Sequence, residues 1–243
     1  MFLLTNGYYF GGRCYGYGLR FDKSYFLVLA GMLICMAAHA YLQSVYKKYA
    51  SIPTSTGMTG REAAMRVLYS QGVSLQINHV AGSLTDHYDP SKKTVNLSDS
   101  VYDRSNVAAV CIAAHECGHA MQDQEHYAPL ALRTKLVPVA NLGSQISIPV
   151  FIAGMIFSIP PLLTVGIVLF TAAVLFQLVT LPVEFNASRR ALRILEDNAL
   201  LPQEELRGGR IVLRAAALTY VAGFLQTVLQ MARLILLARR RRD

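Results

Sequence analysis

Apolar residues fall into long blocks, and one polar segment of mixed periodicity separates the first block from the rest. The first block, 25–41, lies between Lys23 and Lys47-Lys48 and predicts a membrane anchor over 24–45. Ala38-His39-Ala40 imitates a small-x-small cleavage site, so a cleaved signal peptide is the alternative to a retained anchor. Between Lys135 and Glu184 no Asp, Glu, Lys or Arg occurs. As one helix those 48 residues would run roughly 72 Å, against a hydrocarbon core of about 30 Å. Two spans over 144–182 fit instead, with the turn at Pro160-Pro161. A last span is expected over 211–238, bracketed by Arg210/Arg214 and Arg233/Arg239, whose long stems reach the interface.

The polar region 46–143 reads differently. Thr59-Gly60-Arg61-Glu62 is a capping box, followed by Ala63, Ala64, Val67 and Leu68 at helical spacing and closed by Gly72. From 73 to 98 the period changes to two (Val73/Leu75/Ile77, Val95/Leu97), with turn chemistry at Ala81-Gly82-Ser83 and Asp89-Pro90-Ser91. Two or three short antiparallel strands are expected there. Ser105 or Asn106 caps the next helix, and a further helix over 130–141 leads into the charge-free hairpin. Residues 1–23, rich in Tyr and Gly, form a loose extension or an interfacial arm, and 239–243 a basic tail. The expected fold class is mainly α with a small antiparallel β element, in a multi-span, membrane-embedded, zincin-like arrangement.

Composition agrees with membrane residence. Apolar residues are 53% and charged residues 16% of the chain, against roughly 45–50% and about 25% in soluble domains. The net charge of +8 could suggest nucleic acid, but the arginine run at 239–242 directly follows an apolar helix and suits anionic headgroups better. No nucleic-acid partner is expected. Four cysteines show no framework spacing and imply neither a disulfide scaffold nor a cysteine metal site.

His115-Glu116-Cys117-Gly118-His119 is an H-E-x-x-H sequence on an expected helix. Residues four apart share one helical face, so both imidazoles reach a single Zn²⁺ and leave a coordination position open. Glu116 reaches a water that zinc acidifies rather than the metal, which suits it as general base. Small residues around the motif (Ala113, Ala114, Gly118, Ala120) let another helix come close. The metzincin continuation would need Gly at 122 and His at 125, where Gln122 and Glu125 stand, so that class is excluded. A glutamate from a later helix is the other common third ligand, and Glu184 is the best candidate, a gluzincin-like set. Two crossings between His119 and Glu184 return the chain to the membrane face it left. The bland alternative is an interfacial charge paired with Arg189 or Arg190.

Asn186 and Ser188 are candidates for orienting a ligand, or are polar residues of an exposed turn. His87 is a candidate for polarising a substrate carbonyl, or a plain turn histidine; His126 and Tyr127 stand similarly, and His39 and His79 read as structural. The strands near 75–97 could hold an extended substrate by edge pairing.

Four stretches resemble the YugP-like family of bacterial membrane zinc metallopeptidases: Leu84-Thr85-Asp86-His87-Tyr88-Asp89-Pro90, His115-Glu116-Cys117-Gly118-His119-Ala120, Tyr127-Ala128-Pro129-Leu130 and Leu181-Pro182-Val183-Glu184-Phe185-Asn186-Ala187-Ser188. The likeness covers the chain from about residue 25 onward. It implies zinc on the two histidines and a later glutamate, with Glu116 catalytic, and a layout akin to heat-shock membrane proteases and prenyl-protein proteases. Those show Glu-x-Asp in the third-ligand helix, where this chain has Asn186 at the Asp position.

The expected organisation is therefore an anchor (24–45), a catalytic region (46–143), a membrane hairpin (144–182), a third-ligand helix and loop (183–210) and a final span (211–238). The expected activity is hydrolysis of peptide or membrane-protein substrates at a bacterial cell membrane, with basic residues leaning the catalytic face to the cytoplasm. A non-catalytic assembly or scaffold protein with structural zinc is the rival. Structural zinc usually has four ligands, which argues against it. A transporter would need ionisable residues within its spans, and the central hairpin has none.

Overall fold

The computed structural model describes residues 23–240. Most of the Tyr/Gly-rich extension and the final residues 241–243 therefore lie outside the described part.

Helix α1 (Tyr25–Ala50) is apolar on nearly every face, and of its residues only Gly31 and Val45 are buried. Phe26, Leu33 and Met36 point outward, as suits a helix whose solvent is lipid. Lys47 and Lys48 close it, complementing the partial negative charge of its C-terminus. Helix α2 (Gly60–Ser70) begins with the expected reciprocal cap: Glu62 N donates to Thr59 Oγ1 at 3.2 Å, and Thr59 N donates to Glu62 Oε2 at 3.0 Å. Gly72, at φ 66°, closes the turn that follows.

Three strands follow: β1 (Gln76–Val80), β2 (His87–Asp89) and β3 (Thr94–Ser98), in the spatial order β1-β3-β2. The pairing corrects the antiparallel expectation, because the sheet is mixed. β2 and β3 are antiparallel (Tyr88 opposite Val95), whereas β1 and β3 are parallel (Ile77 opposite Val95). The cause lies in the 81–86 connection, which carries the chain past the place β3 later takes. Asp86 pins that connection to the end of β3, accepting from Ser98 N at 2.7 Å and from Ser98 Oγ at 2.9 Å. Gly82 N and Leu84 N donate to Asp99 and Ser100 beyond the same strand. Every residue of β3 is buried, so Val95 and Leu97 anchor a core shared with α2 and with helix α3 (Val107–Gln124). Each such fully buried side chain stabilises by roughly 1.5–3 kcal/mol. Asn106 caps α3 by accepting from Ala109 N at 2.9 Å.

The rest is long helix: α4 (Ala128–Ile156), α5 (Pro160–Asp197) and α6 (Gln203–Arg239). The chain reverses between α4 and α5 just before Pro160-Pro161, whose fixed φ suits a first helical turn. The helix expected over 130–141 and the first limb of the hairpin are one element. Pro138 and Pro149 remove single rungs from α4 without ending it. Likewise α5 does not stop where the charges begin but continues through Glu184 to Asp197, and α6 starts eight residues before the span expected from 211. With α1, these make four helices long and apolar enough to cross a membrane. α1 packs along α6, α6 along α5, and α5 along α4, while α3 lies against α5 and α6.

Candidate metal centre

α3 and α5 meet at Gly118. A methyl group there would sit 2.6 Å from the carbonyl oxygen of Ala187, so only glycine lets the two backbones approach this closely. The contact puts one face of α3, carrying His115 and His119, against the α5 turn that carries Glu184.

Glu184 Oε2 lies 3.3 Å from His115 Nε2 and 3.6 Å from His119 Nε2. The imidazole rings stand edge to face, their centroids 4.7 Å apart. Glu184 is 2% exposed, and its Oε2 accepts no hydrogen bond among the described residues. A buried carboxylate oxygen without a donor is costly unless something positive answers it. Ligand atoms about 2.0–2.2 Å from a tetrahedral zinc stand about 3.3–3.6 Å from each other. The two separations thus fit one shared ion, and the orphaned oxygen is the feature that such an ion would satisfy. Among the described residues, these three form the one group with metal-ligating spacing.

The outer nitrogens are held as well. Ser188 Oγ is 3.1 Å from His115 Nδ1. Gln122 Oε1 is 3.0 Å from His119 Nδ1, and as a carbonyl oxygen it can only accept. That places the proton of neutral His119 on Nδ1 and leaves Nε2, which faces Glu184, with a free lone pair. Gln122, completely buried, donates through Nε2 to Val183 O at 2.8 Å and Asn186 Oδ1 at 2.9 Å. Asn186 Oδ1 also accepts from Arg190 Nε at 2.7 Å, and Arg190 grips Glu125 with both terminal nitrogens. Among the described residues Asn186 forms no hydrogen bond to His115, His119 or Glu184, and meets His119 only through Gln122. The second carboxylate oxygen, Glu184 Oε1, faces Arg133 Nη1 at 3.4 Å.

A cavity of about 410 Å³ opens on this cluster. Glu116 lines it beside the two histidines, and β2 contributes His87 and Tyr88. Burial pushes the Glu116 carboxyl above the ordinary carboxylate range, while the two imidazoles pull it back part of the way. Burial also works against a charge on His119, but the Glu184 carboxylate, with Glu116 behind it, overcomes that and holds the imidazole above its usual value. Asp86 is likewise raised by burial, against the opposing hydrogen bonds from Ser98. His87 has Nδ1 at 2.9 Å from Thr85 O and Nε2 at 3.2 Å from the Asn96 amide, so both nitrogens are engaged. Tyr88 Oη donates to Asp123 at 2.7 Å, tying the strand to the motif helix. A second cavity of about 170 Å³ runs from His115 and Glu116 between α1 and α6, walled by Leu42, Tyr46, Val212 and Ala216.

His126 and Tyr127 line a neighbouring cavity that does not include the histidine pair. His79 pairs with Asp99 at 2.7 Å and stacks on Tyr102. Sequence patterns passed over Gln122, Arg133 and Tyr220, the last of which lines both cavities at the cluster. A signal existed for two of them. Gln122 stands one turn beyond His119 on its face, and Tyr220 puts a hydroxyl within a charge-free stretch.

Two imidazoles of H-E-x-x-H and a distant carboxylate, gathered in a helical membrane protein, match the pattern of membrane-bound zinc peptidases. The chain belongs to the family described as "Putative neutral zinc metallopeptidase", whose profile matches residues 24–239. It is 42% identical over 219 residues to the "Putative membrane protease YugP" of Bacillus subtilis (strain 168), covering 90% of this chain and 97% of that one. No solved structure is significantly similar to it.

Proposed function

We propose that His115, His119 and Glu184 hold a catalytic zinc, and that Glu116 is the general base of a gluzincin-like endopeptidase working at a membrane face. The observation that carries this is Glu184 Oε2, buried, without a hydrogen bond, and within 3.6 Å of both Nε2 atoms. Bound there, zinc supplies a Lewis acid that polarises the scissile carbonyl and lowers the pKa of water to about 7. Glu116 takes the proton from the attacking water and passes it to the leaving amine, so one carboxyl serves as base and then as acid. Gln122 and Ser188 hold the imidazoles in the orientation this needs, and Arg133 fixes the free oxygen of Glu184.

β2 is an edge strand lining the cleft, so an extended substrate can pair with it through backbone hydrogen bonds while its side chains meet His87 and Tyr88. Substrates are then peptides or membrane-protein segments in extended form. Basic residues at the catalytic ends of the helices (Lys47, Lys48, Arg189, Arg190, Arg193) favour a cytoplasmic catalytic face, and reporter fusions after residue 240 should then report the opposite compartment.

The test is zinc content and proteolysis by wild type, Glu116→Gln and Glu184→Ala. Glu116→Gln should keep its zinc and lose turnover by about 10²–10⁴-fold, while Glu184→Ala should lose both. Unchanged turnover in Glu116→Gln would defeat the general-base role, and zinc binding by a wild type that cleaves no peptide would favour a scaffold with structural zinc.

A further inference from the structure

α5 and α6 enclose a second, larger groove of about 860 Å³ on the outer side of Ser188. Four arginines line it: Arg189 and Arg193 one turn apart on α5, and Arg210 and Arg214 one turn apart on α6. All four are exposed. Among the described residues, Arg193 alone of the four forms an ion pair, with Asp197 at 4.0 Å. Glu196 is the one acid in the lining. Four guanidiniums against one carboxylate, converging from two helices, make a strongly positive groove whose forked donors suit a phosphate.

The groove also has a direction. The helices run antiparallel, so its two ends differ. Towards the membrane it is floored by Phe185 and Leu218, both apolar and nearly half exposed. Beyond Arg214 no charge occurs on α6 until Arg233. The intervening 18 residues extend about 27 Å, close to the hydrocarbon thickness, which sets Arg214 at the boundary with water. An apolar floor below an arginine ring at that level matches a lipid, acyl chains down and phosphate up. A free phosphate would have no use for the floor. Ser188, Leu213 and Ala217 wall both this groove and the cavity at the metal centre, so its occupant rests on the back of the residue that holds His115.

We propose that the groove between α5 and α6 binds the headgroup of an anionic phospholipid. Phosphatidylglycerol is favoured over phosphatidylcholine because the latter brings its own cation into the arginine ring.

The test uses the full chain purified in non-ionic detergent and titrated with phosphatidylglycerol, phosphatidylcholine or inorganic phosphate, with bound lipid counted by native mass spectrometry. Phosphatidylglycerol should be retained about ten-fold better than phosphatidylcholine, and millimolar inorganic phosphate should not displace it. R210Q/R214Q and R189Q/R193Q should each weaken retention about thirty-fold, and K47Q/K48Q on α1 should leave it within about two-fold. Zinc content is measured alongside. If a double variant loses its metal, R210Q and R193Q singly carry the same comparison, each with about a five-fold loss. Equal retention of both lipids, displacement by phosphate, full retention by the groove variants, or an equal loss in K47Q/K48Q would each overturn the proposal.

Discussion

Gln122→Leu separates orientation of the metal site from packing around it. The two side chains are similar in size, and the position is completely buried, so the substitution removes hydrogen bonds more than volume. Three are lost: the acceptor at 3.0 Å from His119 Nδ1 and the donors to Val183 O and Asn186 Oδ1. Asn186 Oδ1 keeps Arg190 Nε at 2.7 Å. The His119 N–H is left buried without an acceptor, at a cost of about 1–3 kcal/mol. In the metal-bound protein that cost appears as a loss of about 10–100-fold in zinc affinity, about 1.4–2.8 kcal/mol at 1.4 kcal/mol per decade. Gln122→Glu is the partner experiment. It keeps an acceptor facing His119 but sets a carboxylate against two oxygens, Val183 O and Asn186 Oδ1. Zinc affinity should hold while the melting temperature falls by about 2–4 °C per kcal/mol in a chain of this length. Competition with a chromogenic chelator gives the affinity, and a thermal melt gives the stability. Zinc binding by Gln122→Leu within two-fold of wild type would refute the orienting role, and so would equal zinc loss in both variants.

Three further outcomes follow from the geometry. Gly118→Ala pushes a methyl group to 2.6 Å from the Ala187 carbonyl; overpacking of roughly 1–3 kcal/mol exceeds the gain in helix propensity of about 1 kcal/mol, and melts with metal analysis should show lower stability and lower zinc occupancy together. Zinc must displace a proton from His119, whose pKa in the metal-free protein is held above its ordinary value. Zinc affinity should therefore be full above that raised pKa and fall as pH drops through it, so release on stepwise acid dialysis should begin at a higher pH than an unperturbed imidazole would give; retention unchanged to pH 4 would contradict this. Tyr88→Phe removes the 2.7 Å hydrogen bond to Asp123 and should cost about 0.5–1.5 kcal/mol in a denaturation assay while leaving zinc affinity untouched.

Much of this architecture is legible in the residues because the strongest signals are local. The absence of charge between Lys135 and Glu184 announces a double crossing, Thr59 and Glu62 announce a helix start, and the histidine spacing announces a metal face. What escapes is non-local. The parallel pairing of β1 with β3 depends on where Asp86 fastens the connection, and alternation in Val73/Leu75/Ile77 is blind to direction. The role of Gln122 depends on which face of α5 lies opposite, and that is set by the Gly118–Ala187 approach. Helix ends and expected span limits differ for one reason: a change of charge marks a change of surroundings rather than the end of a helix, so α5 runs on past Glu184 without a break.

That unbroken rod has a consequence for dissecting the protein. Its 38 residues carry both the lipid-facing wall and the proposed third ligand, while Arg133 and Tyr220 arrive on two other candidate spans. No soluble headpiece can be trimmed free with its chemistry intact, because a fragment ending at His126 keeps the histidine pair and forfeits the carboxylate that meets it. The lipid-facing wall and the proposed centre share one helix, so whatever holds the spans, bilayer or detergent, also holds the carboxylate in place.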